Sequence, residues 1–346
     1  MAVNESKEDS LIYSKETLNS LLPTFYFYIF QGTILLSVNS LVFLAVLRFK
    51  VLRGKKECLL LASLALADSL MALGFLLAGV GRSVLVWAGH GAQLVTRFWC
   101  FLMLFVFCEP ACPFFLLIVS LDRLFAVAIP TKHMAFTTSY SYKLILLASL
   151  PGIAAEFLTF FGVIGSLNGV GTKPAICYTS FAYLEWYNLY LYYQGLTVTT
   201  LSVVVYVAIV FLYKKRKAKV AAAGDQALQR HMQIQRRLMI TVGLSCTCTY
   251  MFIVVPAIGK ILVWSLTDES HPSRAFVVPV VALTYNLNPL MNLLIYTRRH
   301  KDIRMGVKHL ILCKPLSEAI LKKAVVTKKT NSVKGSVKKP AVPDVG

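Results

Sequence analysis

ECLLLASLALADSLMALGFLLAGVG, residues 57–81, decides the fold. Its only charges are Glu57 at the edge and Asp68 in the middle. About 20 apolar residues in a helix cross the hydrocarbon core of a bilayer, so this run is long enough to span. Six more runs of the same kind lie at 25–48, 99–127, 143–165, 187–213, 237–264 and 274–297. No water pairs backbone N–H and C=O groups in lipid, so each run is predicted to be a helix. The expected fold class is an all-α membrane protein, a bundle of seven transmembrane helices.

Charge sets the orientation. Of the 36 lysines and arginines, 29 fall in or around the gaps after the first, third and fifth runs or beyond Tyr296. The other seven, Lys7, Lys15, Arg82, Arg97, Lys173, Lys260 and Arg274, fall on the opposite side. Cytoplasmic loops carry the positive excess, so the amino terminus is expected outside and the tail inside. Four segments follow: an extracellular amino terminus at 1–24, the membrane domain at 25–297, a surface helix at 298–313 and a disordered basic tail at 314–346. The surface helix is predicted from Ile303, Val307, Leu310 and Ile311, spaced for one apolar face, with Arg304, Lys308 and His309 between them. Ala, Lys and Gln in 214–236 predict helical extensions of the fifth and sixth runs.

The same distribution bears on partners. A hydrophobic fraction of 57% and mean hydropathy of +0.64 exclude an ordinary soluble domain. The net charge of +20 suits membrane lipids with anionic headgroups, and no nucleic-acid partner is expected. Asn4-Glu5-Ser6 is a glycosylation sequon, and Cys313 at the end of the surface helix is a candidate for palmitoylation or an unmodified thiol.

Polar residues inside membrane helices are costly and call for a reason. The first run carries Asn39 and the second Asp68. The third opens near Cys100 and closes on Leu121-Asp122-Arg123-Leu124. The sixth carries Pro256, and the seventh carries Asn288-Pro289 and then Asn292-Leu293-Leu294-Ile295-Tyr296. Cys177 lies in the long outer loop 166–186. A carboxylate at mid-bilayer needs a cation, a proton or several donors, and Asn39, Asn288 and Asn292 are the candidate neighbours of Asp68. The alternative is a protonated Asp68 that joins helices. For Arg123 the alternative is an arginine that snorkels to lipid phosphates.

Over residues 25–313 this set, in this order, resembles the rhodopsin-like (class A) G-protein-coupled receptors. The resemblance implies a heterotrimeric G protein and a small-molecule ligand as partners, and the plasma membrane as location. It implies that Asn39, Asp68, Asn288 and Asn292 form a central polar network, with a sodium ion at Asp68 as the sole expected cofactor. Asp122 and Arg123 would be the cytoplasmic switch, with Tyr206 and Tyr296 swinging inward to support it. Cys100 and Cys177 would form a disulfide, and Pro256 would kink the sixth helix. Several positions depart from the pattern. Arg123 follows Cys100 by 23 positions, two fewer than usual, and Pro110 and Pro113 are expected to absorb the difference by distorting the third helix. Leu124, Val198, Val254 and Leu293 replace familiar aromatic or proline residues, and the fourth run has no tryptophan. Arg236 stands where many members hold an acid, so no ionic lock from the sixth helix to Arg123 is expected. These losses resemble the fast-diverging nematode-type serpentine chemosensory receptors.

The ligand pocket is expected among the outer halves of the helices, at Phe105, Glu109, Tyr250, Lys260 and Tyr285. Glu109 is a counter-charge for a basic ligand or a protonated acid in a helix–helix hydrogen bond. Lys260 is a contact for an acidic ligand or, as we favour, snorkels outward. Glu156 is expected to be structural. Cys108, Cys112, Cys246 and Cys248 lack histidine partners at zinc spacing and are expected to pack rather than bind metal. Residues 276–297 hold no lysine for a retinal Schiff base, no catalytic motif marks an enzyme, and no internal repeat marks a transporter. A ligand-converting receptor is the leading expectation. A non-coupling or decoy receptor is the alternative, and a transporter or channel comes third.

Overall fold

The computed structural model describes residues 15–101, 105–167, 169, 171, 173–177, 183–223, 226–266, 281, 284, 287–291, 295, 298 and 300–317. Its long helices are α1 (Lys15–Arg48), α2 (Lys56–Trp87), α3 (Phe105–Ala128), α4 (Thr138–Val163) and α5 (Glu185–Ala223). A sixth, α6, has two lengths, Gln226–Thr249 and Val255–Leu266, joined by a π-helical turn at Tyr250–Val254. Among the described residues, six helices are long and apolar enough to cross a membrane. The described positions 281, 284, 287–291, 295 and 298 of the seventh run and its end are helical too.

Small residues set the closest helix contact. A Cβ on Gly32 of α1 would lie 2.8 Å from the Ala72 carbonyl oxygen and 2.7 Å from the Leu76 nitrogen of α2. One on Gly79 would lie 2.8 Å from the Phe25 carbonyl oxygen. Lipid tails are as apolar as leucine, so helices in a bilayer gain by packing backbone on backbone, which these glycines permit. In its most apolar stretch α2 is 72% buried, whereas α4 is 22% buried. The chain thus uses α2 as a central post and leaves α4 at an edge, where Leu146, Phe157 and Phe161 face outward. The core at the arginine end of the bundle joins Val42 and Val46 of α1, Leu59, Ala62 and Ala65 of α2, and Phe115 and Ile118 of α3.

Several boundaries depart from the hydropathy pattern. α1 starts at Lys15 rather than residue 25. The added turns are not covered by lipid alone: Leu18 and Phe25 are buried against Val86 and Ile176, with Leu21 and Leu22 beside them. The described parts of the third run are helical at Arg97–Phe101 and in α3. Pro110 and Pro113 lie inside α3 without interrupting it, so the expected distortion is not seen as a break. Each proline removes the usual intrahelical donor of one carbonyl, those of Val106 and Glu109. A two-stranded antiparallel pairing, unanticipated, joins β1 (Leu94–Val95), between α2 and α3, to β2 (Lys173–Pro174), between α4 and α5. The extensions of α5 and α6 between 214 and 236 are helical as expected.

Beyond the bundle, the surface helix Lys301–Ile311 buries Ile303 and Gly306. At Gly306 the missing Cβ leaves room for the Leu52 side chain. Asp302 accepts from Lys55 Nζ at 2.5 Å, tying this helix to the connection between α1 and α2. The expected disorder of the basic tail from residue 318 onward lies outside the described residues.

Candidate functional site

The arginine end of the bundle carries a buried charge cluster. Asp122 and Arg123 lie in the last two turns of α3, and both are almost wholly buried. The Arg123 guanidinium pairs with Asp122 Oδ2. The other carboxylate oxygen, Oδ1, lies 3.1 Å from His133 Nε2. An ionised carboxylate only accepts, so the imidazole Nε2–H is the donor. His133 belongs to a short helix, Pro130–Ala135, that begins with proline at its first position, where the ring's fixed φ suits a helix start. Its ring is 0% exposed. Phe136 and Tyr140 flank it edge-on, with ring centroids 5.8 and 6.4 Å away. Lys56 at the start of α2 donates to the His133 carbonyl oxygen, and Ser141 Oγ donates to the Lys56 carbonyl at 3.2 Å. Sequence reasoning missed both His133 and Lys56. One was a lone histidine in a polar loop, the other one basic residue among many.

Beside Arg123 a small crevice opens, lined by Glu57, Leu60, Leu61, Val119, Val242 and His300. Tyr206 of α5 faces into the bundle here, among Leu60, Leu116, Val119 and Val242. Its phenol occupies the space where a Cβ on Gly243 of α6 would stand. Tyr296 and Asn292 lie outside the described residues.

Of the expected mid-membrane polar network, Asn39, Asp68 and Asn288 are among the described residues. Asn39 and Asp68 are buried. Asn39 Nδ2 and Asp68 Oδ2 have no hydrogen-bond partner among the described residues. Asn288 is instead joined to α6: Thr249 Oγ1 lies 2.9 Å from Asn288 Oδ1 and 2.9 Å from the Ser245 carbonyl. One hydroxyl proton cannot serve both. With the Asn288 amide turned over, its NH₂ donates to Thr249, and Thr249 donates to Ser245. The unpartnered Asp68 Oδ2 is one hard oxygen ligand of the several that a cation site needs.

The opposite, disulfide end holds the second cluster. Cys100 and Cys177 are disulfide-bonded, with Cα atoms 5.2 Å apart. Arg82 of α2, counted in the sequence as a plain outer charge, is 3% exposed. Its Nε donates to the Ile176 carbonyl at 2.7 Å and its guanidinium also to the Cys177 carbonyl, above the Phe25 ring. Cys177 has left-handed backbone, φ 33°, and these bonds secure the carbonyls on either side of that bend.

Below it, Tyr183 donates to Glu109 Oε2 at 3.1 Å. Burial, then the Glu109 carboxylate, push the Tyr183 phenol well above its usual range, so it stays a donor. Lys260 lies within Coulombic reach of Glu109, with its ammonium 5.6 Å from the Tyr192 ring centroid. Tyr192 in turn donates to the Ala257 carbonyl at 2.9 Å. Lys260 therefore sits over an α5 ring and towards α3, rather than snorkelling outward as favoured from sequence. Glu156 is half-buried on α4. Tyr250 opens the π-helical turn and is 36% exposed. Tyr285, the Phe105 side chain and Asn4 lie outside the described residues. Cys108 packs with Met71, Phe75 and Ala78, Cys246 Sγ lies 3.6 Å from Ser120 Oγ, and Cys313 is exposed beyond the surface helix.

A family model described as "Serpentine type 7TM GPCR chemoreceptor Srsx" matches residues 33–311. No individually curated protein matches the chain. The matched span takes in the second half of α1, all of α2 to α6, the helical positions of the seventh run and the surface helix, and it contains both clusters.

Proposed function

Because the chain belongs to the Srsx family of serpentine seven-transmembrane chemoreceptors, we propose that it turns binding of a small extracellular ligand into activation of a heterotrimeric G protein. It is a multi-pass membrane protein with a seven-helix, all-α bundle. The observation that carries the proposal is the buried Asp122–Arg123 pair beside a crevice between α2, α3 and α6. A charge buried near a helix end is expensive unless it is used. An arginine that can leave its acid and reach across that crevice is a switch.

In this reading the disulfide end faces outward and the arginine end faces the cytoplasm of a cell whose plasma membrane holds the protein. The 29 basic residues on the arginine side support that orientation. The ligand enters at the disulfide end and meets Glu109 and Lys260, with Phe105, Tyr250 and Tyr285 as further candidate contacts. Glu109 is engaged by the Tyr183 hydroxyl, so a ligand with a polar group has a partner to displace. Asp68 holds a sodium ion in the resting state, supported by its unpartnered oxygen, with Asn39, Asn288 and Asn292 as neighbours. Tyr206 and Tyr296 support Arg123 once α6 moves. Asn4 carries a glycan, and palmitoylation of Cys313 anchors the surface helix beside the membrane lipids.

Comparing wild type with Arg123→Ala at equal surface expression tests the reading, with uptake of a non-hydrolysable GTP analogue as the signal. Wild type is expected to signal and Arg123→Ala to lose at least about ten-fold, the cost of one charge-assisted contact at the interface. A signal that survives in Arg123→Ala overturns the assignment of Arg123. A second reading, a receptor that binds ligand without coupling, is favoured by Arg236, Val254 and Leu293 at switch positions. Silence of the well-expressed wild type with every G-protein class supports that second reading.

A further inference from the structure

Asp122 is held from two directions, and only one of them is the neighbouring arginine. Arg123 takes Oδ2 and His133 takes Oδ1. The two partners differ in how they are mounted. Arg123 has a long side chain near the end of α3. His133 is a short, fully buried ring, flanked by Phe136 and Tyr140 and fixed at its own carbonyl by Lys56. Phe136 stacks on Tyr140 at 4.5 Å, and the Lys56 ammonium lies over the Phe136 ring. The arginine can swing, whereas the imidazole is walled in.

This difference matters when the switch opens. Removing one partner from a buried ion pair leaves the other charge stranded, a much larger cost than the pair itself is worth. An arginine that leaves Asp122 would strand a carboxylate that is 0% exposed. We propose that His133 is the standby partner of the switch acid, a positioning residue that keeps Asp122 hydrogen-bonded after Arg123 has left and so makes release possible. The proposal rests on reading Arg123 as the G-protein switch. Arg236 on α6 is basic and cannot take over Arg123 as a counter-charge, so the energetics of release fall on the α3 acid and the short helix after Pro130.

The test is a cycle between His133 and Asp122. It is read as ligand-independent uptake of a non-hydrolysable GTP analogue by the full chain fused to a G-protein α subunit, at equal surface expression. His133→Ala is expected to lower activity by roughly ten-fold, because release now strands a buried charge. His133→Gln, which keeps an N–H donor at similar reach, is expected to recover most of that loss. The decisive variant is His133→Ala combined with Asp122→Asn. With no charge left to strand, the loss caused by His133→Ala disappears. A residue that merely props up the loop would show no such rescue.

Raised activity in His133→Ala would overturn the proposal by making His133 a restraint on the resting state. An equal loss with Asp122 or Asn at position 122 would overturn it as well. Should the fused wild type be silent, the G-protein reading itself fails. Thermal unfolding of the purified chain then decides the standby role. His133→Ala must destabilise more in an Arg123→Ala background than alone, because His133 is then the acid's remaining partner. No such excess overturns the proposal.

Discussion

Gly243 shows how much a single position can decide. Tyr206 of α5 lays its phenol where a side chain on Gly243 would begin, so α6 offers a notch that only glycine provides. Gly243→Ala is expected to force the ring out, at a cost of about 1–3 kcal/mol for overpacking. In a Tyr206→Ala background the same Gly243→Ala substitution should cost little, and thermal unfolding in detergent of the four chains would measure this. Equal stability of Gly243→Ala and wild type would mean that the ring moves aside freely. Tyr206 was legible in the sequence as an inward-facing residue through the resemblance. Gly243 was not, because a glycine in a membrane helix has many possible reasons. Asp122 and Arg123 were legible as an adjacent pair whose burial needed explaining. His133 was not, since nothing in the order of residues says that a polar loop will fold an imidazole beneath the helix it follows. Asp68 and Asn39 were recognised as intramembrane polar residues, but their hydrogen bonds depend on helix rotation to within a fraction of a turn, which no periodicity specifies.

The helices themselves follow from hydropathy, and their ends do not. A sliding count of apolar residues places the middle of α1 correctly and misses Lys15–Thr24, because those turns are covered by the outer loop as well as by lipid. Arg82 explains why the loop is there to cover them. It bonds the Ile176 and Cys177 carbonyls from inside α2, so the loop is held by two charged hydrogen bonds besides the disulfide. Each such bond contributes about 1.5–3 kcal/mol. Arg82→Met keeps the apolar stem, loses both donors and strands two carbonyls, so it should destabilise the chain by at least about 3 kcal/mol. Arg82→Lys should recover only part of that, because an ammonium lacks the planar fork that serves two acceptors. Thermal unfolding with the disulfide intact would separate this contribution from that of the cross-link, and no change in Arg82→Met would show the clamp to be dispensable. From sequence, Arg82 was a single entry in a charge count; its burial depends on a loop 94 residues downstream.

For the whole molecule, orientation is the first thing to test. An epitope placed before Met1 should be labelled on intact cells, and one placed after Gly346 only after permeabilisation. The reverse pattern would invert every assignment of outer and inner ends made above. The seven-helix plan was visible in seven apolar runs and an uneven spread of positive charge. The offset between the two lengths of α6 was not. Pro256 marked a disturbance there, but the structure resolves it as a π-helical turn over Tyr250–Val254, where the Val255 N–H reaches back to the Tyr250 carbonyl. A turn of this kind holds about one residue more than an α turn, and one residue is about 100° of rotation. The outer length of α6 is thereby dialled round relative to the inner one, and Lys260 comes to lie over Tyr192. Deletion of a single residue from this turn would let it close as an ordinary α turn, with both lengths of α6 keeping their aim. Closing the same turn without a deletion would swing the outer length by about 100°, so the turn is a slack link whose winding, rather than its residue count, would re-aim Lys260.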